Sequence, residues 1–223
     1  LFRRKARLVA GGQVTEVPKC MTYSSVVSRE TVRIALTIAA LNSLDVKAAD
    51  IMNAYVTAPC SEKIWTVLGP EWGALQGKKA IIVRALYGLK SSGAAFHKHL
   101  ADCMTAIGYS PCLADPDLWM KPECDTAGDK YYSYILCYVD DILVVHHDAD
   151  KVLDRVGKFF MLKPESVGKP NVYLGAKLRE HQCPNGVNAW TMSPSKYVQE
   201  AVKNCHKHLK ENFDGKYSLP KTA

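Results

Sequence analysis

Two adjacent carboxylates, Asp140 and Asp141, are the residues of this chain whose placement most suggests chemistry. They stand between residues 131–139 and 142–145, two runs rich in β-branched and aromatic side chains. That pattern predicts a tight hairpin of half-buried strands with the carboxylates at its tip. Two anions there are costly, because each raises the pKa of the other and burial raises it further. A cation must compensate, and a pair of divalent metals does so most economically. Hard ions take oxygen ligands, and two of them ~3.5–4 Å apart clamp both oxygens of an in-line phosphoryl displacement. A bare Asp-Asp pair is more often a polar turn; the quartet Tyr138, Val139, Asp140, Asp141 between two apolar strands is a far more specific signal.

The whole chain bounds what can position these groups. Its 223 residues, 48% hydrophobic, suffice for one mid-sized domain or two small subdomains. The formal charge of +7 suits a polyanionic partner, although lysines scattered over a solvated surface give the same total. Eight cysteines form no Cys-x-x-Cys pair and several sit in apolar runs, so they read as buried thiols of a reducing compartment. The histidine pairs 97 and 99, 146 and 147, and 206 and 208 repeat no metal-ligand spacing and read as packed or solvated side chains. No apolar run reaches ~18 residues and no charged-then-apolar leader opens the chain, which disfavours membrane spanning and secretion. The first residue, Leu1, falls within an apparent strand, as expected for a piece of a longer protein.

In chain order, residues 2–10 alternate basic and apolar side chains and run into Gly11 and Gly12, a strand ending in a turn. Residues 31–42 carry a helical stripe of Val32, Ala35, Leu36, Ala39 and Ala40, with Ser28 or Thr31 as cap, and deliver the chain to Asp45 and Asp50. Glycines and a proline break residues 64–83 into loop with short extended pieces. A helix over 93–107 has Phe96, Leu100, Cys103, Met104 and Ile107 as its apolar stripe and Gly108 as its stop. Beyond the hairpin come a helix over 149–160, strands over 171–179 and 188–192, and a helix over 195–209. Helices and strands interleave without strict alternation, which predicts an α+β domain with a mostly antiparallel sheet.

Seven short motifs along this order resemble the reverse transcriptase of copia-type long-terminal-repeat retrotransposons. They are Lys-Ala-Arg-Leu-Val-Ala at 5–10, Ser-Ser-Val-Val at 24–27, Ala-Leu-Tyr-Gly-Leu-Lys at 85–90, Ala-Asp-Pro at 114–116, Tyr-Val-Asp-Asp-Ile-Leu at 138–143, Tyr-Leu-Gly at 173–175 and Ser-Pro-Ser-Lys-Tyr at 193–197. The resemblance implies the fingers and palm of a polymerase across 1–223, with an antiparallel palm sheet packed on helices and about 161–223 forming the end of the palm and the start of a thumb or connection. It also implies a third carboxylate upstream, in a pattern of Asp, an aliphatic, two variable residues, Ala and an aromatic. Asp50 to Tyr55 satisfies every position, whereas a start at Asp45 puts Asp50 where the aromatic belongs, so Asp50 is the expected ligand and Asp45 a decoy.

By the same resemblance, Asp50, Asp140 and Asp141 hold two Mg2+ ions, with Mn2+ as a substitute. Lys5 and Arg7 lie near the incoming triphosphate, Tyr55 lies under its sugar, and Gly88 and Lys90 belong to the substrate-binding segment. The implied partners are an RNA or DNA template-primer, a dNTP, and the protease, integrase and ribonuclease H parts of one polyprotein, with no membrane. The implied location is cytoplasmic, in a virus-like particle, or nuclear. Some positions depart from the family pattern: Ala94 stands where an arginine is usual, Ser25 replaces a proline, and Gly11-Gly12 lacks the basic residue before the glycine. Two readings therefore stay open: an RNA- and DNA-directed DNA polymerase, or a catalytically silent remnant that at most binds nucleic acid. A two-metal phosphohydrolase is disfavoured by the aromatic at Tyr55, for which a water-using enzyme has no need.

Overall fold

The computed structural model describes residues 7–184 and 186–213. The chain divides into two compact units, Leu1–Lys169 and Pro170–Ala223.

In the first unit, helix α1 (Arg29–Leu41) starts where Ser28 Oγ accepts the Thr31 N–H at 3.1 Å, and its stripe of Val32, Ala35, Leu36 and Ala39 is buried. Ser43, with φ at 52°, turns the chain into strand β1 (Asp45–Asp50), and a single helical turn, α2 (Ala54–Thr57), follows. Strands β2 (Trp65–Val67) and β3 (Lys79–Ile81) form a separate antiparallel pair. Helix α3 (Ser92–Ala106) buries Phe96, Leu100, Cys103 and Met104, and Gly108, at φ +90°, ends it as expected. Strands β4 (Ser110–Pro111), β5 (Leu118–Cys124), β6 (Lys130–Tyr138) and β7 (Asp141–His146) complete a five-stranded antiparallel sheet in the order β1-β7-β6-β5-β4, and helix α4 (Ala149–Gly157) leaves it.

The predicted hairpin is β6 and β7, with Tyr138 paired to Asp141 and Ile135 to Val144. The run Ile142 to Val145 is continuously apolar because β7 is covered on both faces. Ile142 and Val144 join the core with α3 and α4. Leu143 and Val145 alternate to the other side, where α1 packs on β7 and β1.

The second unit is a three-stranded antiparallel sheet, ordered β10-β9-β8, of β8 (Val172–Tyr173), β9 (Ala176–Gln182) and β10 (Asn188–Ser193), followed by helix α5 (Ser195–Asn212). The expected single strand over 171–179 is split by a two-residue turn, Leu174 and Gly175, both at positive φ as in a type I′ hairpin.

Three other expectations are corrected. Residues 7–10 lie in no strand, while 2–6 fall outside the described residues. The helix expected over 149–160 stops at Gly157, after which Phe160 turns into the core. All eight cysteines are free, but only Cys103 and Cys137 are buried, and Cys124 and Cys205 are exposed. The architecture is mixed helix and antiparallel sheet, as the α+β reading requires.

Candidate active site

Asp141 opens β7 and is the cross-strand partner of Asp50, the last residue of β1. Asp140 lies in the two-residue turn between β6 and β7, and its carbonyl accepts the Ile51 N–H at 2.8 Å. The backbone thus brings all three predicted carboxylates to one end of the sheet. Asp45 sits at the far end of β1, opposite His146, with its carboxylate 3.8 Å from the Lys47 ammonium. At ~3.3 Å per residue, five positions of strand put roughly 17 Å between the two candidates.

Val139 precedes Asp140 in the turn at φ +55°, the first central position of a two-residue hairpin, where glycine is ordinarily preferred. A β-branched residue there costs about 1–3 kcal/mol, which the buried strands on either side must overcome. The effect is to present Asp140 on a rigid tip.

Beyond Asp50 the edge of β1 is covered by residues 161–168. Met52 N–H donates to Met161 O at 2.8 Å, Lys163 N–H to Asp50 O at 2.9 Å, and Ala48 and Gly168 exchange both backbone bonds. Ser166 Oγ accepts the Asp50 N–H and donates to Lys163 O, each at 2.8 Å. This hook carries the Lys163 ammonium into an ion pair with the Asp50 carboxylate.

The electrostatics follow from this crowding. Burial, then Asp140, then Asp50 push the Asp141 carboxyl above the usual carboxylate range, against a smaller opposing pull from Lys163. Burial works to lower the Lys163 pKa, but the hydrogen-bonding Asp50 and the charges of Asp140 and Asp141 outweigh it and hold the ammonium above its ordinary value. Among the described residues no group of three or more Asp, Glu, His or Cys side chains is arranged so that it could hold a metal ion. The chemistry of the three carboxylates still suits hard divalent ions: oxygen donors alone, at a position that already attracts a cation.

An aromatic ledge lies beside the carboxylates. Asn53, at φ 53°, turns the chain into α2, which presents Tyr55; its ring centroid is 4.8 Å from that of Tyr87 and 6.0 Å from that of Phe96. Burial first, then Asp140 and Tyr87, raise the Tyr55 pKa, so the phenol stays protonated at neutral pH. The Arg7 guanidinium carbon stands 5.1 Å from the centroid of Tyr87, giving a stack of Arg7, Tyr87 and Tyr55.

Gly88 and Lys90 stand where the N-terminal segment crosses the chain. Gly88, at φ +91°, lies so close to the N-terminal segment that a Cβ there would come within 2.1 Å of Ala10 O, and one on Gly12 within 1.9 Å of Gly88 O. These two glycines let the backbones cross, and Lys90 Nζ ties the crossing by donating to Thr15 O at 2.8 Å. Lys5 lies outside the described residues. Lys163 and Ser166 were not foreseen: nothing in the local pattern Met161-Leu162-Lys163 marks a lysine as turned toward a carboxylate on a strand far away in the chain, and only the backbone pairing with β1 reveals it.

Residues 2–214 match the family model described as "Reverse transcriptase (RNA-dependent DNA polymerase)". The chain belongs to the reverse transcriptase family. Its copia-type character is shown by its relatives. This reverse transcriptase chain is 27% identical over 211 residues to the "Retrovirus-related Pol polyprotein from transposon RE1" of Arabidopsis thaliana, a match covering 91% of the chain and 13% of that protein. It is 27% identical over 211 residues to the polyprotein from transposon TNT 1-94 of Nicotiana tabacum, covering 91% of the chain and 15% of the relative. To the polyprotein from transposon RE2 of Arabidopsis thaliana it is 27% identical over 172 residues, 73% of the chain and 11% of the relative. The reverse transcriptase chain thus spans a small fraction of the curated polyproteins it matches. No helix among its described residues is long and apolar enough to cross a membrane.

Proposed function

We propose that this chain is the fingers and palm of a retrotransposon DNA polymerase, directed by RNA and by DNA, that joins a dNTP to a primer 3′-hydroxyl. The observation that carries the proposal is the register of β1 against β7, which sets Asp50 opposite Asp141 with Asp140 in the adjoining turn. Asp50, Asp140 and Asp141 would hold two Mg2+ ions, with Mn2+ able to replace them. When bound, such ions supply charge stabilisation to the attacking and leaving oxygens of the transfer.

The chain's own residues supply position. The strained turn at Val139 fixes Asp140, and the hook of residues 161–168 fixes Asp50. Tyr55, neutral and braced on Tyr87, offers a flat wall on which the sugar of the incoming nucleotide rests, excluding a 2′-hydroxyl by space. Arg7, over the ring of Tyr87, presents a fork suited to phosphate oxygens. The net charge of +7 favours a template-primer. The protease, integrase and ribonuclease H activities belong to other parts of the polyprotein from which the chain is cut, working in a cytoplasmic virus-like particle or in the nucleus.

Primer extension on a homopolymer RNA template with Mg2+ tests this reading. Extension by the chain, lost in Asp140→Asn, supports it. Nucleic-acid binding without extension leaves the silent-remnant reading in its place.

A further inference from the structure

The cluster of Asp50, Asp140 and Asp141 concentrates three carboxylates, and the chain itself provides one cation in answer. Lys163 is not a passing surface lysine. Its N–H donates to Asp50 O at 2.9 Å, and Ser166 Oγ links the Asp50 N–H to the Lys163 carbonyl, so the two backbones are locked together. The side chain has the opposite character. A lysine stem is flexible and its head strongly hydrated, and 28% of the Lys163 side chain is exposed, so the ammonium has a path to water. The Lys163 ammonium sits on Asp50 Oδ1, so the ion pair takes up an oxygen that a metal ion would need. One positive charge against three carboxylates leaves the cluster net negative, and a divalent ion carries more compensating charge than the ammonium it would replace.

We propose that Lys163 is a tethered counter-ion: it occupies the Asp50 carboxylate in the metal-free chain, and a divalent ion loads the site by displacing its ammonium into solvent. Lys163 is thereby a positioning residue that holds Asp50 ready and sets the metal concentration at which the site fills. This rests on reading the three carboxylates as a metal site.

The test is Mn2+ binding to the 223-residue chain, followed by loss of the free-ion electron paramagnetic resonance signal. Lys163→Gln removes the competitor and should tighten Mn2+ binding by roughly tenfold, the loss of one charge-assisted contact. Lys163→Arg keeps the charge and should bind as the wild type does, while Asp140→Asn should bind more weakly than either. In the wild type, acetic anhydride should modify Lys163 faster once Mg2+ is added, with Lys203, whose side chain is 71% exposed, as the unchanged control. This last measurement needs no variant to fold. Lys163→Gln binding no tighter than wild type, or Lys163 reactivity indifferent to Mg2+, overturns the counter-ion role even where Asp140→Asn loses Mn2+. Absence of Mn2+ binding in the wild type and in every variant overturns the metal reading itself, and this inference with it.

Discussion

Two carboxylates at strand ends of the large sheet, Asp50 and Asp117, are each paired with a base. Asp117, just before β5, meets His97 of α3 at 2.6 Å, and its side chain is 2% exposed. Its backbone is anchored as well: the carbonyl accepts the Cys137 N–H at 2.9 Å, and the N–H donates to Asp115, which in turn accepts from Ser28 and Thr31 at the start of α1. One acid, itself shut away from water, faces one base, and the pair joins α3, β6 and α1. Asp50 has a similar partner but stands at an open end of the sheet, 23% exposed and crowded by two more carboxylates. The same pairing makes a latch where charges balance and the acid is buried, and a receptive site where anions outnumber the cation and the acid itself is open to approach.

The comparison breaks most sharply at Asp50. Asp50→Asn should cut primer extension by ~10³-fold or more, several kcal/mol of transition-state stabilisation, while Asp45→Asn stays within a few-fold of wild type. The reverse ranking in single-turnover rates would put the third carboxylate at the wrong end of β1.

His97→Ala tests the latch. It strands the sealed Asp117 carboxylate and should lower unfolding stability by about 3 kcal/mol in urea titrations. Its pH signature is equally specific. The hydrogen bond that His97 donates to Asp117, against an opposing effect of burial, raises the His97 pKa. A group whose folded pKa is raised contributes fully below its unfolded value of ~6.5 and loses that contribution as pH rises through the folded value. The stability gap between wild type and His97→Ala should therefore be widest in acid and narrow above neutrality. A gap that widens with pH would show that His97 is not held as the cation.

Tyr55→Val addresses how the open site chooses its substrate. Removing the ring should raise the ratio of ribo- to deoxynucleotide catalytic efficiency by ~10²-fold or more, since a loose apolar pocket discriminates against an added hydroxyl only weakly. Deoxynucleotide use should stay within roughly tenfold, about 1.4 kcal/mol. An unchanged ratio in a variant that still extends would make Tyr55 a packing residue of the ledge it shares with Tyr87 and Phe96.

Arg7→Ala is the mildest change. Losing one cation–π contact and a phosphate fork, it should raise the nucleotide Michaelis constant by about two- to fivefold, in line with ~0.5–1 kcal/mol for an exposed stack. A shift confined to template affinity and its salt dependence would reassign Arg7 to the nucleic acid.

Much of this protein is legible in its residue order. The apolar runs around Asp140 and Asp141 determine a hairpin, because the residues near the turn on β6 and nearly all of β7 are buried, and two such strands joined by a two-residue turn pair with each other. The stripes of α1 and α3 determine those helices, and the spacing from Asp50 to Tyr55 singles out Asp50 over Asp45. Other elements needed the assembled fold. The segment Asp-Val-Lys-Ala-Ala-Asp at 45–50 has one β-branched residue and little strand propensity, and it is a strand because β7 on one side and residues 161–168 on the other satisfy its backbone. β5 carries Pro122, tolerated because β4 pairs only with residues 119 and 120 and leaves that edge open. The basic alternation near Arg7 promises a strand that residues 7–10 do not form; the pairing of Ala10 with Tyr87 and the crossing at Gly12 and Gly88 take its place. Local pattern records which face of an element is apolar, and so it determines the hairpin and the helices. Lys163 beside Asp50 and His97 beside Asp117 are contacts between residues distant in sequence, and a charge carries no periodic mark of the partner it will meet. Those pairings were decided only when the sheet brought its strands into register.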